Sequence, residues 1–290
     1  MKNKTNKYDI GDDEIFIMSD RRDPWYIRFW WVWIVVAVIL AIVILFFVIK
    51  PQSRPVQSVK PYVPQMCESA TPEENVWFSN TDAKLPSCTV VKDTVIDSVP
   101  LLIYTPYNFI PELYIGHPDT ADTDIIFAAL AADIRGDNGK IVGAYVYNGE
   151  PLSWGLSKKG YCALIDGSVA IGVAENSPFF EQAIEQGGYF FRQYAAVDNG
   201  IMVENNPQNA AFRRALCVFD NKVCIVVSAE RMKMNAFSES LVKLGVENGI
   251  FLVGTDAAGW YRDEHGSLFV LGEKAMKGAK NINYIVFRAQ

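Results

Sequence analysis

Residues 187–228 read GGYFFRQYAAVDNGIMVENNPQNAAFRRALCVFDNKVCIVVS, and their pattern decides the fold class. Residues 189–197 are an aromatic and apolar run closed by Asp198-Asn199-Gly200, so they predict a strand ending in a turn. Residues 216–228 predict a hairpin. Asp220-Asn221 supply its two-residue turn, because short polar residues tolerate the positive φ angles that such a turn demands. In that register Cys217 and Cys224 face one another, either as a bridge or as two buried free thiols.

The same logic extends outward. Residues 141–147 followed by Asn148-Gly149, and 161–165 followed by Asp166-Gly167 and 169–173, predict two more hairpins. Ser177-Pro178 predicts a helix running to about Gln186, with Ser177 as N-cap and Gly187-Gly188 as the stop. Residues 235–244 predict a second helix, with Phe237, Leu241 and Leu244 on one face and Gly245 at its end. Residues 250–253, 268–271 and 284–287 predict further strands, and the apolar stretch 125–132 fits helix or strand. Strands and helices mix without strict alternation, which predicts a strand-rich α+β domain with two or more helices.

Residues 29–49, FWWVWIVVAVILAIVILFFVI, carry no charge across 21 positions. As a helix they span roughly 31 Å at about 1.5 Å per residue, matching a bilayer core of about 30 Å. Lys50-Pro51-Gln52-Ser53-Arg54 follows, unlike the small residues of a cleavage site, so a retained transmembrane anchor is expected. Trp30, Trp31 and Trp33 cluster at one end as an interfacial belt does. Arg21, Arg22 and Arg28 sit close before the span, which predicts a cytoplasmic N-terminus and a periplasmic or extracellular C-terminal domain. The expected organisation is a tail at 1–28, a membrane helix at 29–49, a linker at 50–66 punctuated by Pro51, Pro55, Pro61 and Pro64, and one domain at 67–290.

Composition narrows the function classes. Half of the 290 residues are hydrophobic and 21% are charged, which excludes a disordered chain. A net charge of −6 argues against nucleic acid as a partner, since such binding rests on basic patches. Two histidines, His117 and His265, nearly exclude a His-built metal centre. None of the five cysteines forms CxxC, and no phosphate-binding glycine loop or nucleophile elbow occurs, so no cofactor is expected and no metal-ligating residue stands out. In an outer compartment Cys67 and Cys88 are a candidate disulfide across a polar loop.

Three stretches within 125–262 together resemble the phosphodiester glycosidase family. The first is AALAADIRGDNGKIVGAYVYNGEPL at 128–152, in the layout of the family's small-residue run, Asn-Gly-Gly/Asp-Phe-Phe motif and hairpin. Asp133 falls on the variable Gly/Asp position, while Ala131-Ala132 and Ile134-Arg135 replace its neighbours. The second is 187–228, where Arg213 falls on the arginine that opens the family's next hairpin and Arg214 takes the place of Thr. The third is AFSESLVKLGVENGIFLVGTDAAGW at 236–260, matching the helix, turn and strand that lead to the active-site loop. There the family ends in Leu-Asp-Gly-Gly-Gly-Ser, whereas this chain reads Leu252-Val253-Gly254-Thr255-Asp256, with Val253 at the aspartate and Gly254 retained.

The resemblance implies cleavage of a sugar-1-phosphodiester of the N-acetylglucosamine type, in a cell-envelope glycan. That reaction builds positive charge at the anomeric carbon and leaves negative charge on phosphate. A planar guanidinium suits the phosphate and a carboxylate suits the anomeric centre or an attacking water. The implied candidates are Asp133 and Asp256 as catalytic carboxylates, and Arg213, Arg214, Arg192 and Trp260 as substrate contacts, with Tyr261 beside the last. Each has a plainer reading. Arg213 or Arg214 is a solvated strand residue, Asp133 turns the chain before Gly136, Asp256 ends a strand, and Trp260 is core. A non-catalytic member that binds envelope glycan or a protein partner is the alternative, favoured by the altered loop.

Overall fold

The computed structural model describes residues 77–254, 258–272 and 281–290. The chain divides into two units, Met1–Glu68 and Ser69–Gln290, and all the described residues belong to the second. The expected tail, membrane span at 29–49 and linker lie outside the described residues, as does Cys67. Among the described residues no helix is long and apolar enough to cross a membrane.

Seventeen strands and two helices follow in chain order among the described residues. β1 (Cys88–Ile96) and β2 (Val99–Tyr107) form a hairpin, then come β3 (Phe109–Ile115) and β4 (Ile125–Leu130). β5 (Ala144–Tyr147) pairs with β6 (Glu150–Trp154), and β7 (Gly160–Ile165) pairs with β8 (Ser168–Val173). Helix α1 (Phe179–Glu185) leads to β9 (Tyr189–Gln193), β10 (Ala195–Asp198) and β11 (Ile201–Met202). β12 (Arg214–Phe219) and β13 (Lys222–Ser228) are the hairpin read from the sequence, with Cys217 opposite Cys224. Helix α2 (Met234–Leu244), β14 (Asn248–Phe251), β15 (Gly259–Arg262), β16 (Leu268–Leu271) and β17 (Asn283–Ala289) complete the domain.

The predicted turns form where local chemistry requires them. Asn148 and Gly149, Asp166 and Gly167, and Asp220 and Asn221 all take positive φ. Gly245 closes α2 in the left-handed conformation, φ 98°, while Phe237 and Leu241 are buried beneath it. α1 begins one residue later than the Ser-Pro signal implies. Ser177 Oγ still accepts the Phe179 N–H at 3.3 Å, and Pro178 precedes the first helical residue.

Every strand pairing among the described residues is antiparallel. A seven-stranded sheet runs β1-β2-β13-β12-β14-β10-β11, and two five-stranded sheets run β16-β15-β4-β17-β3 and β6-β5-β9-β7-β8. The ambiguous stretch at 125–132 is therefore a strand, and one buried along its whole length. The domain is strand-rich, with its two helices covering sheet faces. Phe237 and Leu241 of α2 pack on the seven-stranded sheet, and Phe180 and Ala183 of α1 pack on β5, β7 and β9. The central core draws Tyr104, Phe127, Tyr145, Phe191, Ile225 and Phe287 from all three sheets.

One expectation is corrected. Residues 189–197 are not one strand: β9 belongs to a five-stranded sheet and β10 to the seven-stranded sheet. The break is at Tyr194, whose N–H is taken by the Gln193 side-chain oxygen at 3.0 Å and whose carbonyl accepts from Phe251 at 2.8 Å. The side-chain bond replaces a ladder bond, and the chain turns from one sheet into the other. Gly160 makes the corner tight enough. A Cβ there would stand 2.7 Å from the Gln193 carbonyl oxygen and 2.8 Å from Ile250.

Candidate functional site

The corner at Tyr194 is also where the chemistry gathers. Asp133 follows the end of β4, Gln193 and Tyr194 mark the sheet switch, Arg213 and Arg214 open β12, and Val253 follows β14. These residues line a cavity of about 190 Å³. An adjoining cavity of about 360 Å³ shares Asp133, Tyr194 and Val253 and adds Lys158.

Asp133 is held by backbone geometry behind it. Buried Asn283 accepts the Ala132 N–H at 2.8 Å and donates to the Ala132 carbonyl at 3.2 Å, while Gln193 reaches the Ala131 carbonyl at 3.4 Å. The Asp133 carbonyl accepts from Val142 at 2.8 Å. Its side chain remains 40% exposed and meets the Lys158 ammonium in an ion pair. Lys158 itself is buried: it also donates to the Gln193 side-chain oxygen and stands 4.5 Å above the Tyr194 ring. Burial pulls its pKa down and the Asp133 charge pulls it partly back up.

Arg213 and Arg214 have opposite fates, as adjacent residues entering a strand do. The Arg213 guanidinium is bound to backbone, donating to the Met232 carbonyl at 2.9 Å and to the Asn209 carbonyl, while the Ser228 hydroxyl accepts the Arg213 backbone N–H at 2.7 Å. Arg214 is only 3% exposed. Among the described residues its Nε and Nη1 find no hydrogen-bond partner. Burial lowers its pKa to about 10, so it stays charged at neutral pH; Tyr104 and Tyr284, with their own pKa values raised by burial, oppose the drop. A buried charge without a partner is costly, and an anion entering the cavity beside it relieves that cost. With Lys158 paired to Asp133 and the Arg213 guanidinium on backbone carbonyls, Arg214 is the buried cation of the cavity whose Nε and Nη1 stay unengaged among the described residues.

The remaining sequence candidates fall elsewhere. Arg192 is buried and donates to the carbonyls of Lys158, Ala174 and Glu175 at 2.7–2.8 Å, tying loops together outside the cavity. Trp260 is buried in β15 among Ile125, Leu130 and Tyr284, and Tyr261 stacks on Phe269 at 5.1 Å. Asp256 lies outside the described residues. Cys88, Cys217 and Cys224 are buried free thiols. Among the described residues no three His, Cys, Asp or Glu side chains gather as around a metal ion. Lys158, Gln193 and Tyr194 escaped the sequence reading. The polar Gln193 inside the run YFFRQYAAV is the signal that points to them.

No family model matches the chain, and no curated protein matches it. Among solved structures it is similar to the catalytic domain of zebrafish N-acetylglucosamine-1-phosphodiester alpha-N-acetylglucosaminidase, auto-inhibited by its pro-peptide. That likeness has 13% identity and a TM-score of 0.49, over 73% of this chain and 87% of that one. It is also similar to a hypothetical protein from Synechocystis, at 12% identity and a TM-score of 0.52, over 70% of this chain and 62% of that one. At 12% identity the likeness to the Synechocystis protein extends to the fold alone.

Proposed function

We propose that the cleft binds a sugar-1-phosphodiester of the N-acetylglucosamine type and hydrolyses it, as the sequence resemblance at 125–262 implies. The observation that carries this reading is Arg214, a buried cation whose Nε and Nη1 have no hydrogen-bond partner among the described residues, in the wall of a cavity that also holds Asp133. In the reaction, water adds to the anomeric carbon, the bond from that carbon to the phosphate oxygen breaks, and a phosphate monoester leaves. Arg214 binds the phosphodiester and stabilises the charge that grows on it. Asp133, held by Lys158, stabilises the positive anomeric centre or orients the water. Tyr194 offers a ring beside both. Arg213, bound to two backbone carbonyls, keeps the start of β12 in place.

The proposal extends to the location. Residues 29–49 anchor the chain as a single membrane span with a cytoplasmic N-terminus, and the domain acts on glycan in the periplasm or on the outer surface.

Two observations favour a second reading, that of a non-catalytic glycan binder: Val253 occupies the family's aspartate position and Asp133 is already paired. The test is turnover of an N-acetylglucosamine-1-phosphodiester by the purified full-length chain, beside Arg214→Gln. Turnover that falls at least a hundredfold in the variant supports the hydrolase. Arg214-dependent binding without turnover supports the binder, and neither binding nor turnover by folded protein defeats both readings.

A further inference from the structure

A second groove, of about 480 Å³, lies apart from the cleft residues and has no role in the chemistry above. Its exposed apolar walls include Trp154, 66% accessible, and Leu156, 67% accessible. Trp154 ends β6, an edge strand of its sheet. Its ring meets Phe180 edge-on, with centroids 5.1 Å apart and planes at 63°, so Phe180 fixes the indole and leaves most of it open. Asn176 and Glu181 stand at the same groove, both exposed. Neither side chain makes a hydrogen bond within the described residues.

An exposed aromatic platform beside unengaged amide and carboxylate groups matches the amphipathic surface of a sugar: C–H face on the ring, hydroxyls to Asn176 and Glu181. A peptide adding as a strand is the poorer fit, because Pro151 removes one N–H from β6. The chain itself links the groove to the cleft. From Trp154 to Lys158 is four residues, which span at most about 14 Å when fully extended. The Arg192 guanidinium holds the far end of that link through the Lys158 carbonyl, at 2.7 Å.

We infer that Trp154, Phe180, Asn176 and Glu181 form an accessory glycan subsite, and that the ligand of this protein is an oligosaccharide or longer envelope glycan rather than a single sugar phosphodiester. The inference rests on the glycan reading of the cleft for its purpose, yet its test needs no turnover. The full-length chain is titrated by calorimetry with N-acetylglucosamine tetrasaccharide, maltotetraose and a mannotetraose. The expected result is binding of at least one, weakened tenfold or more in Trp154→Ala, partly retained in Trp154→Phe, and weakened in Glu181→Ala. Binding of N-acetylglucosamine-1-phosphate, which reports the cleft, stays unchanged in all three. An exposed indole makes Trp154→Ala a foldable variant, and its melting temperature serves as the check. Equal tetrasaccharide affinity in Trp154→Ala and wild type overturns the inference, as does failure of folded wild type to bind any of the three. A dimer that dissociates on Trp154→Ala overturns it too, by assigning the groove to protein contact. Trp154-dependent tetrasaccharide binding with no turnover of an N-acetylglucosamine-1-phosphodiester leaves the subsite standing and removes the hydrolase. Hydrolysis without Trp154 dependence does the reverse.

Discussion

Replacing Arg214 by Met should make the protein more stable and remove its anion site at the same time. The guanidinium is fully enclosed, and its fall from the ordinary arginine value to about 10 corresponds to about 3 kcal/mol at about 1.4 kcal/mol per decade. That is the penalty the fold carries for keeping the group charged. The unfolded chain keeps the higher pKa, so between about pH 10 and the ordinary value it binds more protons than the folded chain. Stability from this group therefore rises with pH above about 10, and below that the penalty is present in full. Methionine fills much of the same space without the charge, so a net gain of about 1–3 kcal/mol is expected at pH 7, after some packing loss. In a domain of this size that raises Tm by roughly 2–10 °C. Urea denaturation of wild type and variant measures it, each with and without N-acetylglucosamine-1-phosphate. Ligand at a hundred times its Kd should stabilise wild type by about 2.7 kcal/mol and the variant by nothing measurable. A variant destabilised by more than about 2 kcal/mol that still responds to the sugar phosphate would refute the reasoning. Arg214 would then be a structural residue and the anion would bind elsewhere.

Arg213→Lys should show the opposite profile, losing about 1–2 kcal/mol through its carbonyl bonds while keeping the sugar-phosphate response; the same denaturation pair reads both. Lys158→Met leaves Asp133 without its partner, and turnover should fall by about a hundredfold or more if the pair positions the carboxylate. Because burial lowers the Lys158 pKa in the fold, wild-type stability gains as pH rises towards the ordinary lysine value near 10.4, and Lys158→Met should lack that alkaline gain in pH-dependent melts. Gly160→Ala places a methyl 2.7 Å from the Gln193 carbonyl oxygen, and should lower stability by about 1–3 kcal/mol and weaken sugar-phosphate binding by opening the corner.

Much of the architecture is local and was legible in the sequence. The turns at Asn148-Gly149, Asp166-Gly167 and Asp220-Asn221 follow from residues that tolerate positive φ, and these pin the hairpins and the Cys217–Cys224 register. The stop of α2 at Gly245 is equally local. β1 escaped notice because most of it alternates between exposed and half-buried residues, with Lys92, Asp93 and Thr94 interrupting its apolar pattern.

The site is another matter. Asp133 and Arg214 were nameable from motif layout, and two adjacent arginines at the start of a strand point to opposite faces as a matter of alternation. Which of the two turns inward depends on the pairing of β12 with β13 and β14, a contact between distant segments. Lys158 carries no local mark at all. It becomes a buried cation only because Asp133, 25 residues before it, and Gln193, 35 after it, close around it. Tyr194 likewise reads as the middle of one strand and is the switch between two sheets, since a side-chain bond from Gln193 and a close approach at Gly160 outweigh the run's intrinsic preference to continue. Backbone torsions are set by neighbours in sequence, and those the chain declared for itself. Burial, and with it the charge balance of the cleft, is set by neighbours in space, and only the closed tertiary structure assigned them.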